Sequence, residues 1–177
     1  MRDFKEIWSI TQTIEGWFWE PEAIAFYDII SRFKRGSKLV ELGSYYGRSS
    51  SILGALAKDL DLNFVTVDNF SMGIDTEKTF YENMKKVNAK FRVIKGKSTE
   101  VVNQIDNNID FLFIDTTHIY EQCKIECDLY IPKVRTGGII AFHDYGGKYT
   151  GIKKAVDERK ELINKMLAYS LLIANKQ

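Results

Sequence analysis

Apolar and polar positions along the chain change period several times, and each change marks an element. Over residues 2–14, Phe4, Ile7, Trp8 and Thr11 fall on one face of a short helix. Pro21 suits the first turn of a second helix, which Gly36 closes. Residues 38–42 form a compact apolar run, a first strand. Ile52, Leu53, Leu56 and Leu60 then recur at helical spacing over residues 49–60. A second strand covers 63–67. Asp75 stands where it can cap a helix carrying Phe80, Met84 and Val87. A third strand covers 91–95, and Ser98 can cap the short helix after it. Residues 109–114 are almost wholly apolar, as a strand covered on both faces should be. A helix runs to about 131, before Pro132. A fifth strand covers 138–142, a helix 151–166, and a last strand 169–174.

Alternating strands and helices of this length predict an α/β fold with right-handed crossovers: a Rossmann-like, doubly wound, mostly parallel sheet of about six strands. Residues 1–36 read as N-terminal helices and 37–177 as the core of a single domain. Only one strand-like run follows the last helix. A homo-oligomer enters as an expectation.

In such a sheet, ligands lie beyond the carboxyl ends of the strands. Those ends are Glu41, Asp68, Gly96-Lys97-Ser98, Asp115 and His143-Asp144. The first strand passes through Gly43-Ser44-Tyr45-Tyr46-Gly47 into its helix, and Asp68 follows Gly47 by 21 residues. A glycine turn followed by an acid at the next strand end is the layout of a nucleoside site. Four carboxylates on one rim argue against a ligand held by its phosphates. They suit a hydroxyl-rich, cationic ligand, a divalent metal, or both. S-adenosylmethionine, with a ribose diol, an ammonium and a sulfonium, fits better than NAD, whose pyrophosphate would meet the acids. Singly, Ser98 and Asp68 read as helix caps and His118 as a loop residue. Their common sheet edge is what gives them weight.

Charge and composition narrow the classes. A net charge near +1 with scattered Lys and Arg gives no case for nucleic acid. No apolar stretch reaches ~18 residues, so no membrane span is expected. The N-terminus lacks the apolar core of a signal peptide, and a cytoplasmic protein is expected. Cys123 and Cys127 read as core thiols of a reducing compartment.

The motifs resemble those of class I S-adenosylmethionine-dependent methyltransferases. Residues 41–49 are similar to the first motif of catechol-type O-methyltransferases, and Gly96-Lys97-Ser98 to their adenine-contacting turn. Asp115 to Tyr120, then Asp128, Gly137-Gly138 and His143-Asp144-Tyr145, resemble a bacterial small-molecule methyltransferase family that includes cephalosporin hydroxylase-like proteins. Gly16-Trp17 also resembles that family.

The resemblance implies that Glu41 meets the methionine end of S-adenosylmethionine or its ordered waters, and that Gly43, Tyr45 and Ser49 line that end with helix-terminal amides meeting the carboxylate. It implies that Asp68 takes the ribose diol and Ser98 lies by adenine, with Ser44, Gly47, Asn69 and Asp115 in the same binding set. Asp115 and Asp144 match magnesium ligands. Tyr145 stands at the third, amide position, which leaves His143 as a substitute ligand. His118 stands where the catechol-type enzymes have a lysine base, and imidazole can do that work. Thr116-Thr117 replaces a glycine-containing turn, and one strand-like run follows the last helix where the resembled fold has two, which implies a sheet one strand short with the acceptor side open or completed by a partner subunit. The implied activity is O-methylation of a small hydroxyl compound, a sugar or phenol, with catalytic His118, Asp115 and Asp144. A non-catalytic cofactor-binding protein and an NAD-type oxidoreductase are the alternatives. Trp17, Phe18 and Trp19 read equally as a substrate lid or as core.

Overall fold

The computed structural model describes residues 1–177. Helix α1 spans Phe4–Thr11, and Asp3 caps it by accepting the Glu6 amide at 2.8 Å while Glu6 returns the bond. Helix α2, Glu20–Ile30, carries Pro21 in its first turn and ends before Gly36. Strand β1, Lys38–Leu42, leads into α3, Arg48–Leu60. Strand β2 (Asn63–Asp68), α4 (Thr76–Lys86), β3 (Arg92–Lys95) and the single turn α5 (Ser98–Val101) follow. Then come β4 (Ile109–Ile114), α6 (Tyr120–Tyr130), β5 (Val134–Phe142), α7 (Thr150–Asp157), β6 (Leu162–Ala168) and β7 (Leu171–Lys176).

The sheet has the order β3-β2-β1-β4-β5-β7-β6, and only β7 runs against the rest. The chain winds outward from β1 to β3, then returns to start again at β4. The β1/β4 boundary is therefore the topological switch point where a crevice opens. Alternate side chains of β4 feed two cores. Phe111 and Phe113 pack with Phe26, Ile52 and Leu56 on one face. Leu112 and Ile114 pack with Cys123, Cys127 and Tyr130 on the other. Both faces are covered, which explains the unbroken apolar run.

The sheet has seven strands, against the expected six, and it is not short of one. The helix expected over 151–166 ends at Asp157, and residues 162–168 form β6. Leu, Met and Ala favour helix in that stretch. Pairing with the buried strand β7 overrides them: Ala168 faces Leu171 across a tight turn at Tyr169-Ser170. A bulge lies between Ile163 and Met166, with Asn164 at φ 52°. Asp75 and Ser98 do not cap through their side chains. No helix is long and apolar enough to cross a membrane.

Candidate active site

A cavity of about 980 Å³ opens at the switch point. Its floor is fixed by one close approach. Gly43 has φ 87°, and a Cβ there would lie 2.0 Å from the Asp115 carbonyl oxygen. Only glycine fits, because both the conformation and the space exclude a side chain. The Asp115 amide donates to the Leu42 carbonyl at 2.8 Å, so the ends of β1 and β4 are tied together.

Asp68 holds the glycine turn from the side. One carboxylate oxygen, Oδ2, accepts the Ser44 amide at 2.6 Å, the Tyr45 amide at 3.0 Å and the Ser44 hydroxyl at 3.1 Å. Oδ1 accepts the Phe70 amide at 2.6 Å and keeps a lone pair for a ligand hydroxyl. Tyr45, at φ 48°, is a non-glycine residue in the left-handed region, stabilised there by these bonds.

Glu41 is placed differently from the sequence expectation. It is fully buried and does not line the cavity. Its oxygens accept the Ser49 hydroxyl at 2.6 Å and the Ser50 hydroxyl, which pins β1 to α3. Gly47, expected in the binding set, supports the turn from behind and also stays off the cavity wall. Burial pushes the Glu41 carboxyl from 4.5 up to about 7, against the opposing serine bonds. Between those two values the folded chain holds a proton that the unfolded chain has released. Stability should therefore fall as pH rises from 4.5 to about 7 and stay level above that. Glu41→Gln should remove a descent on the order of 3 kcal/mol. Urea titrations of both proteins at about pH 5 and about pH 8 measure it. Parallel curves for the two would assign the descent to another group.

At the far end, Ser98 donates to the buried Glu126 of α6, which also accepts Thr116 Oγ1 at 2.7 Å and Gln122 Nε2 at 3.0 Å. Desolvation raises the Glu126 pKa, with the three donors opposing. Ser98, Thr116 and Gln122 line the cavity, as does Asn69.

The third cluster is the most highly charged. His118 Nε2 lies 2.7 Å from Asp144 Oδ2, and the His118 ring stacks on Tyr149 with centroids 3.8 Å apart. Asp115, His118 and Asp144 each offer a ligand atom, all within 4.8 Å of one another. Asp144 sits at φ 57°, an unusual conformation for a non-glycine residue.

Behind them His143 is almost fully buried. Its Nδ1 lies 3.3 Å from both Asp115 Oδ1 and Asp144 Oδ2, and its Nε2 lies 3.3 Å from Glu22 Oε2. Burial opposes the charged ring, but the three carboxylates outweigh it and push its pKa up to about 12. A ring protonated on both nitrogens has no lone pair for a metal. The expectation that His143 completes a metal shell does not fit this arrangement.

Glu22, Gln122 and Glu126 did not stand out in the sequence. Glu22 also accepts the Trp19 amide at 2.8 Å and the Ser170 hydroxyl at 2.6 Å, from 148 residues away. The one available signal was an acid placed on the buried face of each of α2 and α6. The three aromatics divide. Phe18 packs in the core against Phe26, while Trp17 (61% exposed) and Trp19 (45%) stand at the cavity rim.

A family profile described as a methyltransferase domain matches residues 40–145, from β1 to just past the end of β5. The chain belongs to that family. It is a class I, S-adenosylmethionine-dependent methyltransferase domain, and the nicotinamide alternative falls away.

Curated relatives include an uncharacterised protein of Sinorhizobium fredii, 28% identical over 120 residues (62% of this chain, 13% of that protein). Another, from Acanthamoeba polyphaga mimivirus, is 30% identical over 118 residues, 60% of this chain and 50% of that protein. The matched part thus spans half or less of these relatives. Among solved structures, cofactor-bound Rv0187 from MTB superposes with a TM-score of 0.74 at 12% identity, covering 97% of this chain and 88% of that one. The SAH-bound Podospora anserina methyltransferase PaMTH1 gives 0.69 at 14%, covering 100% and 89%. CalS11, a TDP-rhamnose 3'-O-methyltransferase, gives 0.68 at 13%, covering 97% and 92%. At these identities the likeness is one of fold.

Proposed function

We propose that this methyltransferase domain methylates a hydroxyl oxygen of a small-molecule acceptor, with His118 as the base. The observation that carries this reading is the 2.7 Å pair between His118 and Asp144 on the cavity wall. With Asp144 accepting from Nε2–H, the free lone pair of His118 is on Nδ1, and the imidazole is held in one tautomer. His118 takes the proton of the acceptor hydroxyl. The oxygen forms a bond to the sulfonium methyl carbon, the carbon–sulfur bond breaks, and its electron pair stays on sulfur in S-adenosylhomocysteine. Holding the two reactants in line supplies on the order of 7–11 kcal/mol. Asp68 Oδ1 receives the ribose diol, Gly43 and Tyr45 flank the methionine end, and Ser98 and Thr116 flank adenine.

The residues fit a divalent ion through their oxygens. Asp115 Oδ2 and Asp144 Oδ1 carry no hydrogen bond from the protein, while the other oxygen of each faces His143. Two carboxylates with water completing the shell are what magnesium takes. Asp115 and Asp144 would hold it, and a bound ion there would lower the pKa of the acceptor hydroxyl. The exposed faces of Trp17 and Trp19 suit a sugar or a phenol, and the name of CalS11 supports a sugar.

The test is release of S-adenosylhomocysteine from S-adenosylmethionine across a panel of sugars, nucleotide sugars and phenols, with and without a chelator. Turnover with a hydroxyl acceptor is expected. Binding of S-adenosylhomocysteine with no turnover across the panel would favour a non-catalytic role. Activity that survives exhaustive chelation would remove an obligatory metal.

A further inference from the structure

At the methionine end of the cavity the hydroxyl donors are already used. The Ser49 hydroxyl proton goes to Glu41, and the Ser44 hydroxyl proton to Asp68. Each can still accept a hydrogen bond, but neither can donate one to a carboxylate. The Tyr45 hydroxyl turns toward Glu15 at 3.5 Å. An amino-acid carboxylate bound there needs a donor with free protons.

The amides of Arg48, Ser49 and Ser50 at the start of α3 are free of protein partners, and among the side chains at this end the Arg48 guanidinium keeps free protons. Arg48 opens α3, directly before Ser49, and lines the cavity beside the Glu15–Trp19 segment. Its guanidinium lies 5.5 Å from the Trp8 ring centre and 5.8 Å from that of Trp19. Nη1 donates to the Gly16 carbonyl at 2.7 Å. Nε is buried with no partner, and Nη2 donates to no protein group. The other cavity cations are engaged elsewhere: His143 is enclosed by Glu22, Asp115 and Asp144, Lys97 pairs with Glu100, and Lys148 sits over Tyr149.

We propose that Arg48 is the receptor for the α-carboxylate of the methyl donor, meeting it through Nη2, the guanidinium nitrogen that is neither paired like Nη1 nor sealed off like Nε. This rests on S-adenosylmethionine being the ligand. A guanidinium N–H gives a carboxylate a charge-assisted hydrogen bond, and the flanking rings hold the group in place before the ligand arrives. Because the same side chain holds Gly16, binding at the carboxylate is coupled to the position of the rim segment that carries Trp17 and Trp19.

The test compares two ligands by calorimetry: S-adenosylhomocysteine and its decarboxylated counterpart, which keeps the nucleoside, the thioether and the amine. The native protein should prefer S-adenosylhomocysteine by about ten- to hundredfold. Arg48→Met should erase that preference by weakening only the carboxylate-bearing ligand, and Arg48→Lys should keep part of it. If Arg48→Met weakens both ligands equally, or weakens neither, Arg48 is a latch for Gly16 and the proposal falls. If the native protein binds both ligands alike, the carboxylate is not recognised, and the proposal falls while the cofactor reading stands. If it binds neither, the cofactor reading itself has failed. Should Arg48→Met not fold, the native ligand pair and Arg48→Lys decide.

Discussion

His118→Ala should lower methyl transfer by about 10²–10⁴-fold, the usual worth of a positioned base, and leave affinity for S-adenosylhomocysteine nearly unchanged. The separation of the two effects follows from where the ring sits. It stacks on Tyr149 and pairs with Asp144, away from Asp68 and the glycine turn. It takes no part in the bonds that hold the glycine turn or the Ser98 end. Single-turnover rates with excess donor, together with calorimetry, check both halves of the claim. Equal rates in the two proteins would make His118 an ordinary loop residue. A large loss of donor affinity would place it on the wrong side of the reaction. His118→Gln, which keeps a side chain of similar reach without a comparable base, should be nearly as slow as alanine.

His143→Leu should have the largest effect on stability, about 3–5 kcal/mol, because it strands buried charge. The native ring lies between Asp115, Asp144 and Glu22, all within 3.3 Å. Leucine fills the space but leaves three carboxylates facing one another with nothing between. In urea the midpoint should fall by at least about 1 M. A double variant that also carries Glu22→Gln should recover part of the loss, since one of the stranded charges is gone. An unchanged midpoint would mean that the three acids do not depend on this ring. A metal ligand, by contrast, would show its loss in ion dependence with the apo stability little altered.

Much of this was legible in the chain. The apolar run at 109–114 announced a strand buried on both faces, and the glycine turn before Asp68 announced the crevice. What the strand ends could not show was which way their side chains turn. Glu41 lies inside the apolar strand β1 and Asp144 just past β5, yet one points back under α3 and the other into the cavity. The difference is set by Ser49 and Ser50 offering hydroxyls to the first. Residues 162–168 misled because helix formers were placed in an edge strand, where pairing decides the conformation. Glu22 was invisible because its partners, His143 and Ser170, are brought to it only by the completed fold.

The contact between Gly43 and the Asp115 carbonyl has a consequence for how this scaffold can change. The turn after β1 and the end of β4 are locked in register by atoms that belong to the main chain, so no exchange of side chains loosens them. The Glu15–Trp19 stretch on the cavity rim is held differently, through side chains: Arg48 Nη1 donates to the Gly16 carbonyl and Glu22 accepts the Trp19 amide. On the other rim the main chain is pinned at Gly146 and Gly147, whose amides donate to the Ser170 and Asp144 carbonyls at 3.0 and 3.1 Å, and exchangeable positions begin at Lys148. Side-chain exchange on the two rims can therefore reshape the mouth of the cavity while its Gly43–Asp115 floor stays as it is.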